Sequence, residues 1–232
     1  CRLAQEGADI LDVGGESTRP GAAAVTVEDE LQRVIPVVEA LASRGFTVSV
    51  DTSKAEVMRA ALSAGASILN DVRAFEEEGA LQAAANSSAG LVIMHMHGTP
   101  NTGFGWMQDD SYLEDIESYL MKRQSALQKL GVSPDRICWD AGFGFGKSVR
   151  QNFGILAHTQ RFVQSGQPYL LGLSRKSSLG AVTGVQDPGK RMPASIAGAL
   201  LAAERGAQIV RVHDVKQTRQ ALDVWQALCQ SV

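Results

Sequence analysis

Seven short apolar runs, each ending in polar side chains, constrain the fold of this chain more than any other feature. They occupy residues 10–14, 48–51, 68–71, 91–95, 137–140, 169–174 and 209–213. Strands that are apolar throughout are buried on both faces and belong to parallel sheets covered by helices. Polar groups at the carboxyl ends of such strands are where α/β enzymes hold their chemistry. The pattern therefore predicts an α/β enzyme.

Helical patterns separate these runs. Apolar residues recur at helical spacing over 27–41 after Thr26, and 111–130, 191–205 and 215–228 are further predicted helices. Ser53 and Ser111 each stand three residues before a glutamate, which is typical of a capping box. Strict alternation of strands and helices suits either a (β/α)8 barrel or a doubly wound sheet.

Two observations favour the barrel. The polar strand ends are spread over all seven runs, and no nucleotide fingerprint follows the first run. The chain opens on what resembles the tail of a helix before Gly7, so we expect a TIM-type (β/α)8 barrel whose first strand is missing from this chain. Without a linker or low-complexity tract, residues 1–232 are expected to form a single domain.

Composition excludes several classes of protein. A net charge of -3 over 232 residues provides no general basic field for a nucleic-acid partner. No apolar stretch approaches the roughly 20 residues needed to cross a bilayer, so no membrane partner is expected. Three cysteines without a C-x-x-C spacing indicate neither a disulfide framework nor a zinc ribbon. We expect a cytoplasmic protein, with Cys138 as a buried small hydrophobe.

A glycine-rich segment follows the fifth run, from Asp140 to Ser148. It does not match a phosphate-binding loop, because Ala141 and Lys147 stand where the two nucleotide motifs require glycine. Asp140 could accept two hydrogen bonds from the edge of a heterocycle, and Phe145 could lie against a flat ring. The alternative is that the segment only packs over the barrel mouth.

Basic residues follow the sixth run, at 174–178, and lie within the last run, at Arg211 and His213. Counting a missing first strand, these are strands seven and eight, where barrels commonly bind phosphate. A guanidinium on such a strand can clamp an anion through two hydrogen bonds. The alternative is that these are ordinary solvated surface groups.

A third group is acidic and contains Asp12, Asp51 and the Asn70–Asp71 pair. Carboxylates crowded at one barrel mouth need bases, a metal ion or a donor-rich ligand to compensate them. Any one of them could instead cap a nearby helix. His95 and His97 have a spacing that could bind a metal ion, but we expect them to provide polar lining instead.

The ordered motifs resemble the dihydropteroate synthase family from about residue 7 to the end. The matching segments are 12–21, 50–54, 68–71, 94–98, 140–147, 172–177 and 211–214. The resemblance implies a folate-biosynthesis transferase that joins p-aminobenzoate to 6-hydroxymethyl-7,8-dihydropterin diphosphate, giving 7,8-dihydropteroate and pyrophosphate. It also implies a sulfonamide target.

The resemblance assigns roles residue by residue. Pterin binding falls to Asp51, Asn70, Asp140 and Lys176, and diphosphate binding to Arg211, His213 and Thr18. Contacts to p-aminobenzoate fall to Thr18, Arg19, Phe145, Lys176 and Ser177. The catalytic set is Asp51, Asp140, Lys176, Arg211 and His213.

The resemblance further implies Mg2+ as cofactor and a homodimer as the usual assembly. The family's asparagine ligand for the metal is expected upstream of Cys1, so none of the site residues named here is assigned to the metal. Two other functions remain open. One is a pterin-binding methyltransferase domain, which would have no pyrophosphate to hold. The other is an inactive pterin-binding fragment.

Overall fold

The computed structural model describes residues 1–19, 21–98 and 111–231. Within them, seven strands form one parallel sheet in sequence order. The strands are β1 Ile10–Gly14, β2 Thr47–Asp51, β3 Ile68–Asp71, β4 Gly90–Met94, β5 Ile137–Asp140, β6 Tyr169–Leu171 and β7 Ile209–Val210. Pro20, in one of the matched motifs, lies outside the described residues.

Helices connect the strands and cover the outer face of the sheet. They are α1 Arg2–Gln5, α2 Val27–Ala42, α3 Ala55–Ser63, α4 Ala80–Ala85, α5 Tyr112–Lys129, α6 Val149–Ala157, α7 Thr159–Val163, α8 Ser177–Thr183, α9 Met192–Glu204 and α10 Val215–Cys229. The predicted alternation of strands and helices is therefore confirmed. Within the described part of the chain, no helix is both long enough and apolar enough to span a membrane.

Side chains alternate across each strand, which sorts the apolar residues into two layers. Leu69, Leu91 and Trp139 pack outward against the helices in the largest core cluster. Val92, Cys138 and Leu170 form a smaller cluster with Ile68 and Ile209 from neighbouring strands. Arg211, just after β7, donates to Asp12 of β1, so the sheet is curled, and this small cluster is its apolar interior.

The last two strands end earlier than the apolar runs predict. The final ladder hydrogen bond runs from the Arg211 amide to the Leu171 carbonyl at 3.1 Å. Beyond it, the Ser174 hydroxyl accepts from the His213 amide at 3.2 Å. The two segments thus stay together through a side chain, and His213 lies in a loop rather than in a strand.

Helix starts are partly as predicted. Thr26 caps α2 by accepting from the Asp29 amide. Ser53 does not cap α3, because its hydroxyl donates to Asp71 at 2.5 Å. Ser111 precedes α5 but makes no side-chain cap hydrogen bond. A capping box does form at α6, between Ser148 and Gln151.

Candidate active site

Five of the polar residues near the strand ends lie on the inner side of the curled sheet. Each follows an outward-packed neighbour, and alternation then turns it inward. The residues are Asp12 after Leu11, Asp51 after Val50, Asn70 after Leu69, Asp140 after Trp139 and Arg211 after Val210. Asp51 and Asn70 are direct partners in the β2–β3 register. The fold therefore brings these predicted site residues to one mouth.

Arg211 connects the first and last strands of the sheet. Its Nε donates to Asp12 Oδ2 at 2.7 Å, and its Nη2 donates to Asp51 Oδ2 at 3.3 Å. The Arg211 side chain is 47% exposed, whereas those of Asp12 and Asp51 are each 16% exposed. A cation held by two carboxylates but open to solvent is well placed to meet an incoming anion.

The carboxylates at the mouth are electrostatically costly. Burial raises the pKa of Asp51 to about 7, with Asp12 adding to the rise and Arg211 opposing it. Burial also raises the pKa of Asp140, against the opposing charges of Lys176, Lys147 and Arg211. Asp140 Oδ1 accepts from the Gly142 amide at 2.7 Å, which orients the carboxyl group at the strand end.

Lys176 joins the loop after β6 to the glycine-rich segment. Its ammonium donates to the Phe143 carbonyl and lies 4.3 Å from the centre of the Phe145 ring. Burial lowers the pKa of Lys176 to about 8, while Asp140 and Asp51 oppose that shift and Arg211 adds to it. Lys176 therefore shares one electrostatic environment with the carboxylates predicted to face the pterin.

The glycine-rich segment is pressed against the chain after β4. A Cβ on Gly142 would lie 1.8 Å from the His95 carbonyl oxygen, and one on Gly146 would lie 2.0 Å from the His97 carbonyl oxygen. Both glycines have positive φ. Buried Lys147 donates to the carbonyls of His95 at 3.2 Å and of Gly142 and Phe145 at 3.0 Å each.

Ser174 fixes the imidazole of His213. Its hydroxyl accepts from the His213 amide and lies 3.0 Å from His213 Nδ1. When this hydroxyl donates its proton to Nδ1, the neutral imidazole carries its own proton on Nε2. Burial lowers the pKa of His213, and the charges of Arg175, Arg211 and Arg19 add to the effect.

The segment after β1 borders the mouth. A cavity of about 300 Å³ is lined by residues that include Thr18, Asp51 and Lys54. Glu16 ties the two ends of this segment together, since its carboxylate accepts from the Val25 amide at 3.3 Å and from Lys54. After burial, which is the main cause, the positive charge of Arg19 in this segment makes the smallest contribution to lowering the pKa of His213.

Several sequence-based expectations need correction. Asp71 faces outward and accepts from Ser53 and from the amides of Arg73 and Phe75, so it organises a turn instead of facing the site. His95 packs edge-on against Tyr119 of α5, with 5.1 Å between ring centres, and so does not provide the expected polar lining.

In the described parts of the chain, no group of three or more His, Cys, Asp or Glu could hold a metal ion.

Some residues with a place in the site carried little sequence signal. Lys147 and Ser174 lie inside the matched motifs, but no sequence pattern assigns either of them a role in the site. Their contacts join segments far apart in the chain, 52 residues from Lys147 to His95 and 39 from Ser174 to His213. A lysine directly after a glycine-rich turn is the one hint that the sequence offered.

A parallel curled sheet with acids, a lysine and an exposed arginine at the carboxyl ends of its strands is typical of an α/β enzyme. Residues 1–213 match the family described as pterin binding enzyme, and this chain belongs to that family. Within it, the dihydropteroate synthase of Haemophilus influenzae is 46% identical over 231 residues, covering 97% of this chain and 82% of that protein.

Solved structures agree with this likeness. Dihydropteroate synthase from Xanthomonas albilineans with 4-aminobenzoic acid has a TM-score of 0.94 at 50% identity, covering 100% of this chain and 82% of that one. The same enzyme with 7,8-dihydropteroate has a TM-score of 0.90 at 46% identity, covering 100% of this chain and 85% of that one. The Yersinia pestis enzyme with a sulfonamide drug has a TM-score of 0.94 at 42% identity, covering 99% of this chain and 83% of that one. The predicted family and barrel class are confirmed.

Proposed function

We infer that this chain is a dihydropteroate synthase. It transfers the (7,8-dihydropterin-6-yl)methyl group from the diphosphate to the amine of p-aminobenzoate. The observation that carries this function is the meeting of Asp51, Asp140, Lys176 and Arg211 at one mouth. In the reaction, the C–O bond to the diphosphate breaks and a C–N bond forms. Pyrophosphate leaves with the electron pair, and the amine loses one proton to solvent.

The buried end of the mouth suits the pterin. Asp140 and Asp51 can accept hydrogen bonds from ring N–H groups, and the Asn70 amide can both donate and accept. Asn70 and Asp140 are each 8% exposed, so a ring bound there would be largely desolvated. As the C–O bond breaks, positive charge spreads into the pterin, and the two carboxylates stabilise it.

The open end suits the leaving group. Arg211 can turn from Asp12 toward a diphosphate, and the His213 imidazole presents Nε2–H to an oxygen of the same group. Pyrophosphate gains negative charge as it departs, so both contacts strengthen along the reaction. Each such donor can supply roughly 3 kcal/mol of transition-state stabilisation, as oxyanion-hole donors do.

The second substrate would bind between the glycine-rich segment and the segment after β1. Phe145 offers a flat face for the aromatic ring. Ser177 begins α8 and is exposed, and together with Thr18 and Arg19 it can bind the carboxylate. Lys176, which lies over the Phe145 ring, would separate the two substrates.

Magnesium is a narrower proposal. Mg2+ is commonly held by one or two carboxylates together with substrate phosphates, so it does not need a full protein cage. Asp12 Oδ1 is buried without a hydrogen-bond partner and is the residue that would contact such an ion. When bound, the ion would neutralise charge on the leaving pyrophosphate.

We also propose that the chain is a single cytoplasmic domain that forms a homodimer. Large apolar side chains stand exposed near the carboxyl end, with Val224 73% exposed and Leu228 64% exposed, both on α10. Leu201 on α9 is 39% exposed. A second copy covering these residues would remove apolar surface from water.

One assay tests the function. The purified protein is incubated with the pterin diphosphate, Mg2+ and p-aminobenzoate, and dihydropteroate and pyrophosphate are quantified. We expect equal amounts of both products and competition by a sulfonamide against p-aminobenzoate. Binding without product would indicate the inactive pterin-binding protein. Methyl transfer from methyltetrahydrofolate to a cobalamin acceptor would indicate the methyltransferase.

A further inference from the structure

The residue before Lys176 has a strained backbone. Arg175 has φ +60°, in the left-handed region that residues other than glycine rarely adopt. Strain of this kind costs free energy and persists only where the surrounding structure enforces it. It stands directly between Ser174, which orients His213, and Lys176, which reaches the glycine-rich segment.

Two buried side chains of the α9 start hold both polar groups of the Arg175 backbone. The Ser195 hydroxyl accepts from the Arg175 amide at 2.9 Å and donates to the Arg191 carbonyl at 2.7 Å. The Arg191 guanidinium donates through Nη1 to the Arg175 carbonyl at 2.9 Å. Arg191 is 7% exposed and Ser195 is 2% exposed.

The guanidinium of Arg191 is itself fixed. It donates to the carbonyls of Val185 at 2.8 Å and Gln186 at 2.5 Å, and it lies over Gly180, where a Cβ would come within 2.6 Å of Nε. The Arg175 side chain is also held, by two hydrogen bonds to Asp214 at 3.1 and 2.5 Å. Arg175 therefore has little freedom to relax.

We propose that Arg191 and Ser195 are positioning residues for the synthase reaction. They hold Arg175 in its left-handed conformation so that the Lys176 ammonium reaches the Phe143 carbonyl and the Phe145 ring. The proposal rests on the proposed function for its catalytic meaning. Its geometric part concerns only Lys176, and it can be tested without any substrate.

We call the hydrogen bonds that Arg191 and Ser195 make with the Arg175 backbone the clamp. Losing the clamp would let Arg175 relax to negative φ. The chain entering α8 would then change direction, and the Lys176 side chain would leave its partly buried position among the charges of Asp140, Asp51 and Arg211. Glycine adopts positive φ without this penalty. An Arg175→Gly change should therefore reduce the dependence of Lys176 on Ser195, and a merely structural role for Ser195 predicts no such rescue.

The test measures the Lys176 amine by NMR in protein with 13C-labelled lysine side chains, using Lys176→Met to assign its signal. The wild-type amine should titrate near 8 because of burial, and Ser195→Ala should move its pKa toward the ordinary 10.5. In the double variant that combines Ser195→Ala with Arg175→Gly, the pKa of the Lys176 amine should lie close to its value in the Arg175→Gly single variant. Arg191→Lys provides a second, milder variant of the clamp.

Thr159→Val is the matched control. Thr159 is a fully buried helix hydroxyl that donates to carbonyls of α6, so its loss reports the effect of removing a buried hydroxyl elsewhere. It should lower the melting temperature without moving the Lys176 titration. In parallel, Ser195→Ala should weaken binding of the pterin diphosphate about fivefold, as expected when displaced Lys176 loses one hydrogen bond to the pterin.

An unmoved Lys176 titration in Ser195→Ala would overturn the proposal, as would an equal shift with and without Arg175→Gly. If the wild-type protein forms no dihydropteroate while the Lys176 amine behaves as described, the synthase function fails but the clamp stands. The two failures are therefore distinguishable.

Discussion

At the scale of single residues, Arg211 has two tasks that compete for its guanidinium. Before substrate binds, it compensates Asp12 and Asp51, which would otherwise repel each other at the mouth. A bound diphosphate would compete for the same donors. Exchanging one anion for another keeps the arginine guanidinium paired throughout.

Arg211→Met should therefore reduce kcat/KM at least 100-fold, an effect of about 3 kcal/mol that matches the loss of one strong transition-state donor. Steady-state kinetics with the pterin diphosphate varied would measure it. Arg205→Met is the control and should leave the kinetics unchanged, since among the described residues the Arg205 side chain hydrogen-bonds only to nearby Leu201 and Glu204. Near-normal turnover by Arg211→Met would refute the assigned role.

Ser174→Ala tests whether the orientation of His213 matters. Without the hydroxyl, Nδ1 has no fixed donor and the imidazole can present the wrong nitrogen to the diphosphate. We expect KM for the pterin diphosphate to rise about fivefold, in line with one hydrogen bond, and KM for p-aminobenzoate to stay constant. An equal rise in both constants would indicate general damage to the site.

At the scale of elements, the glycine-rich segment and the chain after β4 behave as one unit. They meet so closely that two glycines have no room for a side chain, and Lys147 bonds to carbonyls on both segments. The loop that presents Phe145 is thus positioned by a neighbouring strand end as well as by its own sequence.

Gly142→Ala should destabilise the fold far more than the same change at a glycine that also has positive φ but has free space around its added Cβ. Gly131 also has positive φ but has nothing within 4 Å of its added Cβ, so Gly131→Ala isolates the backbone cost. We expect about 1 kcal/mol for Gly131→Ala and more than about 3 kcal/mol for Gly142→Ala, measured by urea unfolding. Equal costs would contradict the close packing.

The sequence predicted the elements better than their ends. Apolar runs located all seven strands, because burial on both faces leaves a simple pattern. Asp51 and Asp71 look alike in the sequence, yet strand alternation turns Asp51 inward and Asp71 outward. Ser53 fitted a capping box but donates to Asp71 instead, a contact 18 residues away that local spacing cannot reveal.

At the scale of the whole molecule, the buried charged groups of the site lower the free energy of unfolding. Burial lowers the pKa of Lys147 to about 7, with Asp140 opposing the shift and Lys176 adding to it. The ordinary lysine value is 10.5, so between about pH 7 and 10.5 the unfolded chain binds more protons than the folded one. The contribution of Lys147 to stability should therefore rise with pH across this window.

Lys147→Met should remove that part of the rise. The difference in unfolding free energy between wild type and variant should grow in favour of wild type from pH 7 to pH 10.5, by at most about 1.4 kcal/mol per pH unit. Urea unfolding at several pH values measures it, with the exposed Lys129→Met as control. A difference that is constant over the window would show that Lys147 titrates normally.

The central claim is that residues from β2, β3, β5 and the loop after β6 bind one and the same pterin. The most direct test is calorimetric binding of the pterin diphosphate to Asp51→Asn, Asn70→Ala, Asp140→Asn and Lys176→Met. Each variant is expected to keep its fold and to bind at least tenfold more weakly, about 1.4 kcal/mol or more. Wild-type affinity in any two of these folded variants would contradict the claim.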